Sequence, residues 1–444
     1  MTTTRNDAVP LRARPRPIAL SPLPGRELTP SLLSRVARAA VLRRLEGLRH
    51  GRLVVVEGGQ THAFGREGHP LHARVRIHDP AAFAQIAFGG SIGAAEAYAD
   101  GLWDADDLPA TIRIVLAQGD GGDRVESGLA RLGALAHRLR HRARRNTPAG
   151  ARENIAAHYD LGNEFFGLFL DPSMTYSCAV YERPDASLEE AQLAKIERIC
   201  AKLDLRPGMR VLEIGTGWGA LAIHAARAYG VHVTTATLSA RQRDVAVERV
   251  RAAGLEDRVE VVLADYRELR GRYDRVVSIE MIEAVGWEYY EAFFRAVGER
   301  LHEDGLALVQ AITIPDHRFE RQKREPNHIN RLVFPGSCIP STTALLQAAS
   351  RASDLRLFHL EELGPHYART LHDWRVRLLA RWDEARSQGR SARFLRNFEY
   401  YLASCEAGYE ERHLGDVQLL FARPRARREP ILPPLAKPDE LRAA

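Results

Sequence analysis

The chain has 444 residues, of which 45% are hydrophobic and 27% charged; this composition excludes a disordered or low-complexity chain and leaves room for more than one domain. The formal net charge of +6 favours an anionic partner, such as a phospholipid surface or a nucleic acid, without choosing between them. Four well-separated cysteines form no CxxC pair, so we expect reduced thiols in a cytoplasm rather than a disulfide framework or a zinc site.

The N-terminal part of the sequence predicts a tail followed by a small domain. Residues 1–28 are rich in Arg, Pro and Thr and contain no apolar core of signal-peptide type, so we predict a disordered tail. Apolar spacing predicts a helix over 30–48, two or three strands over 52–78 and helices over 80–117. Together these elements predict a small α+β domain over residues 29–118.

A basic linker is predicted over residues 119–150. The segment begins with a glycine-rich turn and ends with an Arg- and His-rich run at 137–145. We interpret this run as a solvated helix face; binding to lipid or nucleic acid is the alternative, and the run has no interleaved aromatic residues for base stacking. No stretch of the chain approaches the length of an apolar membrane span.

From residue 187 onwards, helical patterns alternate with apolar strands. This alternation predicts a mostly parallel sheet with helices on both faces, in a domain over 151–425 that precedes a C-terminal tail over 426–444. The predicted helices cover 187–204, 218–228, 240–253 and 288–302, and the predicted strands cover 210–214, 231–235, 259–263, 275–279, 306–310 and two late segments near 354–360 and 416–422.

The first of these strands leads into a glycine-rich loop that runs from Glu213 through Gly215 and Gly217 to Gly219. In a dinucleotide site, the third glycine normally follows the second by three residues and admits a pyrophosphate over the helix N-terminus. The ExGxGxG spacing instead favours a ligand without phosphates and with a cationic amino-acid end. S-adenosylmethionine (SAM) is such a ligand, and bare glycines let the backbone approach it closely.

Two later strand ends extend the predicted SAM site. Thr237 and Ser239 follow the second strand, with Gln242 one turn further on, and they offer hydroxyl and amide groups where an acidic ribose binder is common. Tyr266 and Arg267 follow the third strand, where groups that bind adenine would lie. Turn chemistry explains each short motif alone, but their order on successive strands predicts one nucleotide site.

Several longer motifs extend over most of the chain: Gly90–Asp104, Asn154–Phe166, Met174–Cys178, Leu212–Gly219, Thr237–Ser239, Ser278–Gly286 and Phe334–Gly336. Together they resemble the motifs of the cyclopropane-fatty-acid synthase family, which includes the mycolic acid cyclopropane synthases, over roughly residues 85–425. The resemblance implies a class I SAM-methyltransferase fold, which is α/β and Rossmann-like with a mostly parallel seven-stranded sheet and helical lid insertions.

The resemblance also implies a reaction. The methyl group of SAM would pass to a cis double bond in an acyl chain of a phospholipid, and a cyclopropane ring would close when the carbocation loses a proton from the added methyl. An alkene is a weak nucleophile, so the sulfonium must be held in line with it, and the cation needs an apolar, partly aromatic pocket that excludes water. In this family the base is thought to be a bound bicarbonate ion.

By resemblance, the bicarbonate cage would consist of Cys178, Glu283, Tyr367 and the backbone of Ile312. The position of the family's histidine is Gln310 here, which can donate two amide hydrogens to an anion but does not titrate near neutral pH. The SAM contacts carried over are Tyr176, Ser177, Gly215, Gly217, Thr237, Gln242, Tyr266 and Arg267; Glu213, Gly219 and Ser239 join them from the motifs above.

Several of these residues have a simpler structural interpretation. Glu280 and Glu283 would be acids favoured at the start of a helix, and Tyr367 would be an ordinary core tyrosine. The other cysteines, Cys200, Cys338 and Cys405, are predicted core residues, and His158, His317 and His328 fit no metal-ligand spacing, so no metal site is predicted.

Two segments are predicted lids over an acyl pocket: the insert 334–340 and the aromatic-rich region 364–412. We expect a cytoplasmic enzyme on the inner face of the membrane, with an unsaturated acyl chain and the phospholipid surface as partners and no nucleic acid; a homodimer is left open. Three alternatives are a methylene- or methyl-branched product of the same transfer, a small-molecule methyltransferase, and a non-catalytic lipid-binding protein.

Overall fold

The computed structural model describes residues 32–118, 161–323, 329, 333–334 and 336–432. The predicted tail over 1–28 and the predicted linker over 119–150 lie outside the described residues, as do residues 154–160 of the second motif and residues 433–444 of the predicted C-terminal tail. His158 and His328 also lie outside them. The bounds of the domains therefore stay predictions.

The N-terminal region folds around a four-stranded sheet with the order β2-β1-β3-β4. Strands β1 (Arg52–Glu57) and β2 (Gln60–Gly65) form an antiparallel hairpin, β3 (His72–Ile77) pairs in parallel with β1, and β4 (Trp103–Ala105) pairs antiparallel with β3. The sequence patterns placed β4 inside a helical segment, which was wrong because three residues are too few to display a strand period. The accompanying helices are Leu32–Leu45, Ala81–Ala99 and Leu108–Leu116.

A seven-stranded sheet with the order β10-β11-β9-β8-β5-β6-β7 forms the centre of the second region. All pairs among β5 to β9 are parallel, whereas β11 runs antiparallel to both β9 and β10. The predicted mostly parallel seven-stranded sheet is confirmed. Its strands are β5 (Arg210–Ile214), β6 (His232–Thr237), β7 (Val259–Leu263), β8 (Tyr273–Ile279), β9 (Leu301–Thr313), β10 (Arg356–Glu362) and β11 (Gly415–Ala422).

Helices connect these strands near the predicted positions, at Leu188–Lys202, Ala220–Tyr229, Ala240–Ala252 and Tyr290–Arg300. Ser187 begins the first of them with a capping box, in which its side chain and that of Glu190 satisfy each other's backbone N–H. The last helix starts later than predicted because the backbone first makes a 3₁₀ turn at Trp287–Tyr289. Among the described residues, no helix is both long and apolar enough to cross a membrane.

The aromatic-rich region between β10 and β11 consists of three helices, Gly364–Ala380, Trp382–Ser387 and Ala392–Glu410. Most of their aromatic side chains join those of the short helix Asn163–Phe166 in a single buried cluster, whereas Tyr400 belongs to the core of the N-terminal region. Two further helices, Asp316–Gln322 and Thr342–Ala352, follow β9.

The N-terminal region packs on the helix Ala392–Glu410. The Tyr98 hydroxyl donates to the Glu399 carboxylate over 2.8 Å, and the buried Arg396 guanidinium donates to the backbone carbonyls of Tyr98 and Trp103. The rings of Tyr98, Trp103 and Tyr400 contact one another. One helix thus joins the small sheet to the aromatic cluster of the second region.

Candidate active site

A cavity lies at the carboxyl ends of β5, β6 and β8, where open parallel sheets bind their ligands. Most of the predicted SAM contacts line it, whereas Gly219, Ser239 and Arg267 do not. Those that line it are Tyr176, Ser177, Glu213, Gly215, Gly217, Thr237, Gln242 and Tyr266.

The glycine-rich loop after β5 adopts backbone conformations that other residues rarely take. Gly215 has φ of 104° and Gly217 has φ of 52°, both in the left-handed region that favours glycine. A side chain at Gly215 would also contact Met281 at 3.5 Å. The loop therefore exposes bare backbone to the cavity, and Gly219 behind it faces Ala246 of the helix Ala240–Ala252.

Glu213 lies at the end of β5 and contributes a buried carboxyl group to the cavity wall. Its Oε2 accepts a hydrogen bond of 2.5 Å from the Thr235 hydroxyl. Burial raises the pKa of Glu213 to about 8. A cationic ligand beside this carboxyl would favour its ionised form, as expected for a group that meets the amino end of SAM.

The residues after β6 and β7 divide into cavity walls and loop supports. The Thr237 hydroxyl donates to Gln242 Oε1 over 3.1 Å, and both residues line the cavity. Ser239 instead caps the helix Ala240–Ala252, since its hydroxyl accepts from the Gln242 backbone N–H. Arg267 forms two hydrogen bonds with Asp265, of 2.8 and 2.6 Å, so its guanidinium holds the turn after β7.

A second group of side chains gathers around Glu280, directly after β8. Glu280 Oε1 accepts from the Cys178 backbone N–H at 2.8 Å and from Gln310 Nε2 at 2.7 Å, and its Oε2 accepts from the Tyr367 hydroxyl at 2.6 Å. We call Cys178, Glu280, Gln310 and Tyr367 the carboxylate cluster. The sequence interpretation placed three of these residues together but treated Glu280 only as a helix-start acid.

Glu283 lies beside this cluster with different partners. Its Oε1 accepts a hydrogen bond of 2.5 Å from the Ile312 backbone N–H, so these two predicted site residues are in contact. Its Oε2 is buried and has no hydrogen-bond partner among the described residues. Burial, with the charge of Glu280 adding to it, raises the pKa of Glu283 to about 8.

A buried lysine and a third carboxyl group complete the electrostatics. Lys195 donates from Nζ to the Ser177 hydroxyl over 2.6 Å and lines the cavity. The second amide hydrogen of Gln310 goes to Asp416 Oδ2 over 3.0 Å. Burial raises the pKa of Glu280 and of Asp416, and it lowers the pKa of Lys195. Each group thus favours its neutral form more than it would in water.

Cys178 contributes its backbone rather than its thiol. The side chain is fully buried, and burial raises the pKa of the thiol well above its ordinary value. A protonated, inaccessible thiol is a poor nucleophile. The structure therefore assigns the N–H of Cys178, which bonds to Glu280, as its polar contribution to the site.

Two residues of the site were missed by the sequence patterns although a signal existed. Lys195 falls on the buried stripe of its helix with Ala191, Ile196 and Ile199, and a lysine on an apolar stripe requires a partner. Asp416 lies in β11, which is buried over its central six residues. A carboxyl group within a buried strand is a comparable signal.

Tyr176 joins the cavity to the aromatic cluster. It lines the cavity, and its ring centroid lies 5.1 Å from that of Trp374 and 5.2 Å from that of Phe166. Its hydroxyl lies 3.1 Å from that of Tyr401. Aromatic faces of this kind stabilise a cation and exclude water.

Comparison with known proteins relates this site to one family. The mycolic acid cyclopropane synthetase family model matches residues 146–419. A tuberculostearic acid methyltransferase of Mycobacterium tuberculosis is 38% identical over 84% of this chain and 87% of its own length. A cyclopropane-fatty-acyl-phospholipid synthase of Escherichia coli is 37% identical over 79% of this chain and 88% of its own length.

A solved structure agrees with these relatives. The crystal structure of a mycolic acid cyclopropane synthase complexed with SAH and CTAB superimposes with a TM-score of 0.57 at 34% identity. It covers 61% of this chain and 98% of the solved one.

Proposed function

The chain belongs to the mycolic acid cyclopropane synthetase family and is a SAM-dependent methyltransferase that acts on unsaturated lipids, and from that premise we propose that its acceptor is the cis double bond of an acyl chain still attached to a phospholipid. The product we propose is a cyclopropane fatty acyl chain. The SAM contacts and the carboxylate cluster are the residues we propose for binding and catalysis.

Two residues of the SAM cavity support this proposal because each connects it to a second feature. Tyr176 connects the cavity to the aromatic cluster, and Glu280 connects it to the carboxylate cluster. Transfer of a methyl group to an alkene needs both features next to the sulfonium: an apolar aromatic wall for the cation and a proton acceptor for the ring closure. This double connection is the observation that carries the proposal.

The proton acceptor needs separate consideration. The family resemblance implies bicarbonate, held by donors at Cys178, Gln310, Tyr367 and Ile312. Each of these donors already bonds to a carboxylate of this chain, three of them to Glu280 and the fourth to Glu283. The residues present do not fit a further bound anion in this arrangement, so no step is assigned to bicarbonate here.

A second product is favoured by one relative. The Mycobacterium tuberculosis relative that is 38% identical over 84% of this chain is named a tuberculostearic acid methyltransferase rather than a cyclopropane synthase. The same methyl transfer yields a methylene- or methyl-branched chain if the carbocation loses a different proton or first shifts a hydride. We therefore propose branching as the alternative outcome of the same site.

We also propose that the enzyme works at the inner face of a membrane as a peripheral protein. The net charge of +6 suits an anionic phospholipid surface, which attracts basic proteins from the cytoplasm. A homodimer remains a proposal for the assembly.

An assay on liposomes tests the proposed acceptor. We expect the protein to convert SAM to S-adenosylhomocysteine with liposomes of cis-unsaturated phospholipid, and to remain at background with saturated phospholipid of the same head group. Mass spectrometry of the acyl chains before and after mild hydrogenation then separates a ring from a methylene branch. Turnover without any lipid, on a small amine or hydroxyl acceptor, would contradict the proposal.

A further inference from the structure

We propose that the carboxylate of Glu280 is the base of this enzyme, taking the proton from the newly added methyl group in the place where a bicarbonate ion would be held. This inference rests on the proposed function, because it concerns the second half of the same reaction. It assigns a catalytic role to a residue that the sequence motifs did not mark.

The first argument is the set of donors around Glu280. The backbone N–H of Cys178, the amide of Gln310 and the hydroxyl of Tyr367 converge on its two carboxylate oxygens at 2.6 to 2.8 Å. These are the groups expected to hold an external anion, so Glu280 supplies from within the chain the negative charge they require. A second anion cannot bind to these three donors, because each of them is already bonded to the Glu280 carboxylate.

Glu280 also lies in the position that a base requires. Of the four residues in the carboxylate cluster, Glu280 is the one that lines the SAM cavity. It follows β8, next to the strand that leads into the glycine-rich loop, and Met281 beside it is in reach of Gly215. A carboxylate at this edge faces the space where the methyl donor and its acceptor must meet.

The third argument is the backbone at Glu280. Its φ of 48° lies in the left-handed region, which is uncommon for a residue with a long side chain. The Glu280 N–H donates to the Gln310 carbonyl over 2.9 Å, which holds the turn in place. Unfavourable backbone of this kind is concentrated at functional sites, where surrounding structure enforces it.

The electrostatics suit a base. Asp416 and Glu283 each have one buried carboxyl oxygen without a partner among the described residues, so their neutral forms are favoured. Glu280 has three donors, and the positive charge of Lys195 favours its ionised form. Burial opposes this and raises the pKa of Glu280 above its ordinary value, which makes the carboxylate a better proton acceptor.

The step balances without a co-reactant. The alkene attacks the methyl carbon of SAM, the S–CH₃ bond breaks with its electron pair going to sulfur, and a carbocation forms on the neighbouring carbon. A C–H bond of the new methyl then gives its electron pair to close the ring, and the proton passes to a Glu280 carboxylate oxygen. The proton leaves to water after the product departs.

Two substitutions at one position separate this proposal from a structural role. Glu280→Gln keeps the shape of the side chain but cannot accept the proton, whereas Glu280→Gly removes the side chain, suits the left-handed backbone and frees the three donors. Each protein is assayed with SAM and unsaturated phospholipid liposomes, in buffer freed of carbon dioxide and again with added bicarbonate. Calorimetric titration with SAM shows that each variant folds and binds the co-substrate.

We expect the unsubstituted enzyme to keep its activity without bicarbonate. We expect Glu280→Gln to lose about 100-fold or more of the rate of ring formation with or without bicarbonate, and Glu280→Gly to regain at least about 10-fold when bicarbonate is added, as an external base enters the emptied position. An unsubstituted enzyme that requires bicarbonate, a Glu280→Gln protein of full activity, or a SAM-binding Glu280→Gly protein that bicarbonate does not rescue would overturn the proposal. Absence of S-adenosylhomocysteine under every condition would instead overturn the proposed function.

Discussion

The charge of the carboxylate cluster depends on few groups. The carboxyl groups of Glu280 and Asp416 interact with the buried ammonium group of Lys195, and the carboxyl group of Glu283 lies beside them. Because a buried charge is costly without a partner, only the carboxyl group with the most donors should stay ionised near neutral pH. Glu280 has the most hydrogen-bond donors, so it should be the ionised group, and removal of Lys195 should change its pKa.

Lys195→Met should move the pH dependence of the reaction. The ammonium group lowers the pKa of Glu280, so without it the carboxylate would form only at higher pH. We expect the rising limb of kcat against pH, followed by S-adenosylhomocysteine release, to shift to higher pH. Arg198→Met is the matched control, because Arg198 lies on the same helix but pairs with Glu361. An unshifted limb in Lys195→Met would show that this lysine does not act on the base.

Glu283→Gln should change how stability depends on pH. The folded protein holds a proton on Glu283 up to a pKa of about 8, whereas its ordinary value is 4.5. Stability from this group is therefore complete below pH 4.5 and is lost as pH rises towards 8. Glutamine keeps an acceptor for the Ile312 N–H but does not titrate, so the variant should lose less stability over this range.

The melting temperature of the ligand-free protein between pH 5 and pH 8 measures this effect. Glu256→Gln, on the exposed surface, is the control and should follow the unsubstituted protein. If the melting temperature of Glu283→Gln falls as steeply with pH as that of the control, the carboxyl group of Glu283 is not buried in its neutral form.

Single residues were predictable where a motif carried them. The predicted partners Cys178, Gln310 and Tyr367 do meet, although they meet on Glu280 rather than on a separate anion. Glu280 could not be recognised from the sequence in this role, because its partners Cys178, Gln310 and Tyr367 lie 102, 30 and 87 residues away along the chain and meet it only in the folded protein. Spacing along the chain does not contain that information.

At the scale of elements, the glycine-rich loop makes the sharpest prediction. Gly215→Ala should weaken SAM binding about 10-fold or more, because φ of 104° is strained for alanine and its methyl would contact Met281 beside the cavity. Calorimetric titration with SAM measures the change. Gly59→Ala, in the turn of the β1–β2 hairpin at φ of 83° with no atom within 4 Å of an added methyl, is also strained for alanine but lies in the N-terminal sheet and should leave SAM affinity unchanged.

Elements with a regular period were predictable, and irregular ones were not. Strands β5 and β7 occur at the predicted residues, since each is a short apolar run between turn residues. Strand β9 begins at Leu301 rather than at the predicted residue 306. The sequence pattern did not show its first residues, because most of them are polar and the pairing with β8 is interrupted between Tyr273 and Arg275. The helices over 364–410 were predicted only as an aromatic-rich lid, since their apolar residues serve a cluster rather than one helix face.

At the scale of the whole molecule, the N-terminal sheet and the second region share the helix Ala392–Glu410. Arg396→Ala would remove the buried guanidinium that donates to the carbonyls of Tyr98 and Trp103, although the Tyr98 carbonyl keeps the Gly101 N–H. We expect a cost of about 1.5–3 kcal/mol, as for hydrogen bonds to a charged group. We expect a single cooperative unfolding transition in the unsubstituted protein and a lower midpoint in the variant, measured by denaturant titration. Arg393 lies on the same helix as Arg396 and forms an exposed ion pair with Asp100. Arg393→Ala, which breaks this pair, should cost about 1 kcal/mol or less.

We propose that the enzyme adds one carbon from SAM to a lipid double bond and removes a proton from that carbon. SAM with a fully deuterated methyl group, incubated with the enzyme and unsaturated phospholipid liposomes, tests both parts in one acyl-chain mass spectrum. We expect acyl chains that have gained one carbon with two of its three deuterons. Chains that stay unlabelled would contradict the lipid acceptor, and chains that keep all three deuterons would contradict removal of the proton from the added methyl.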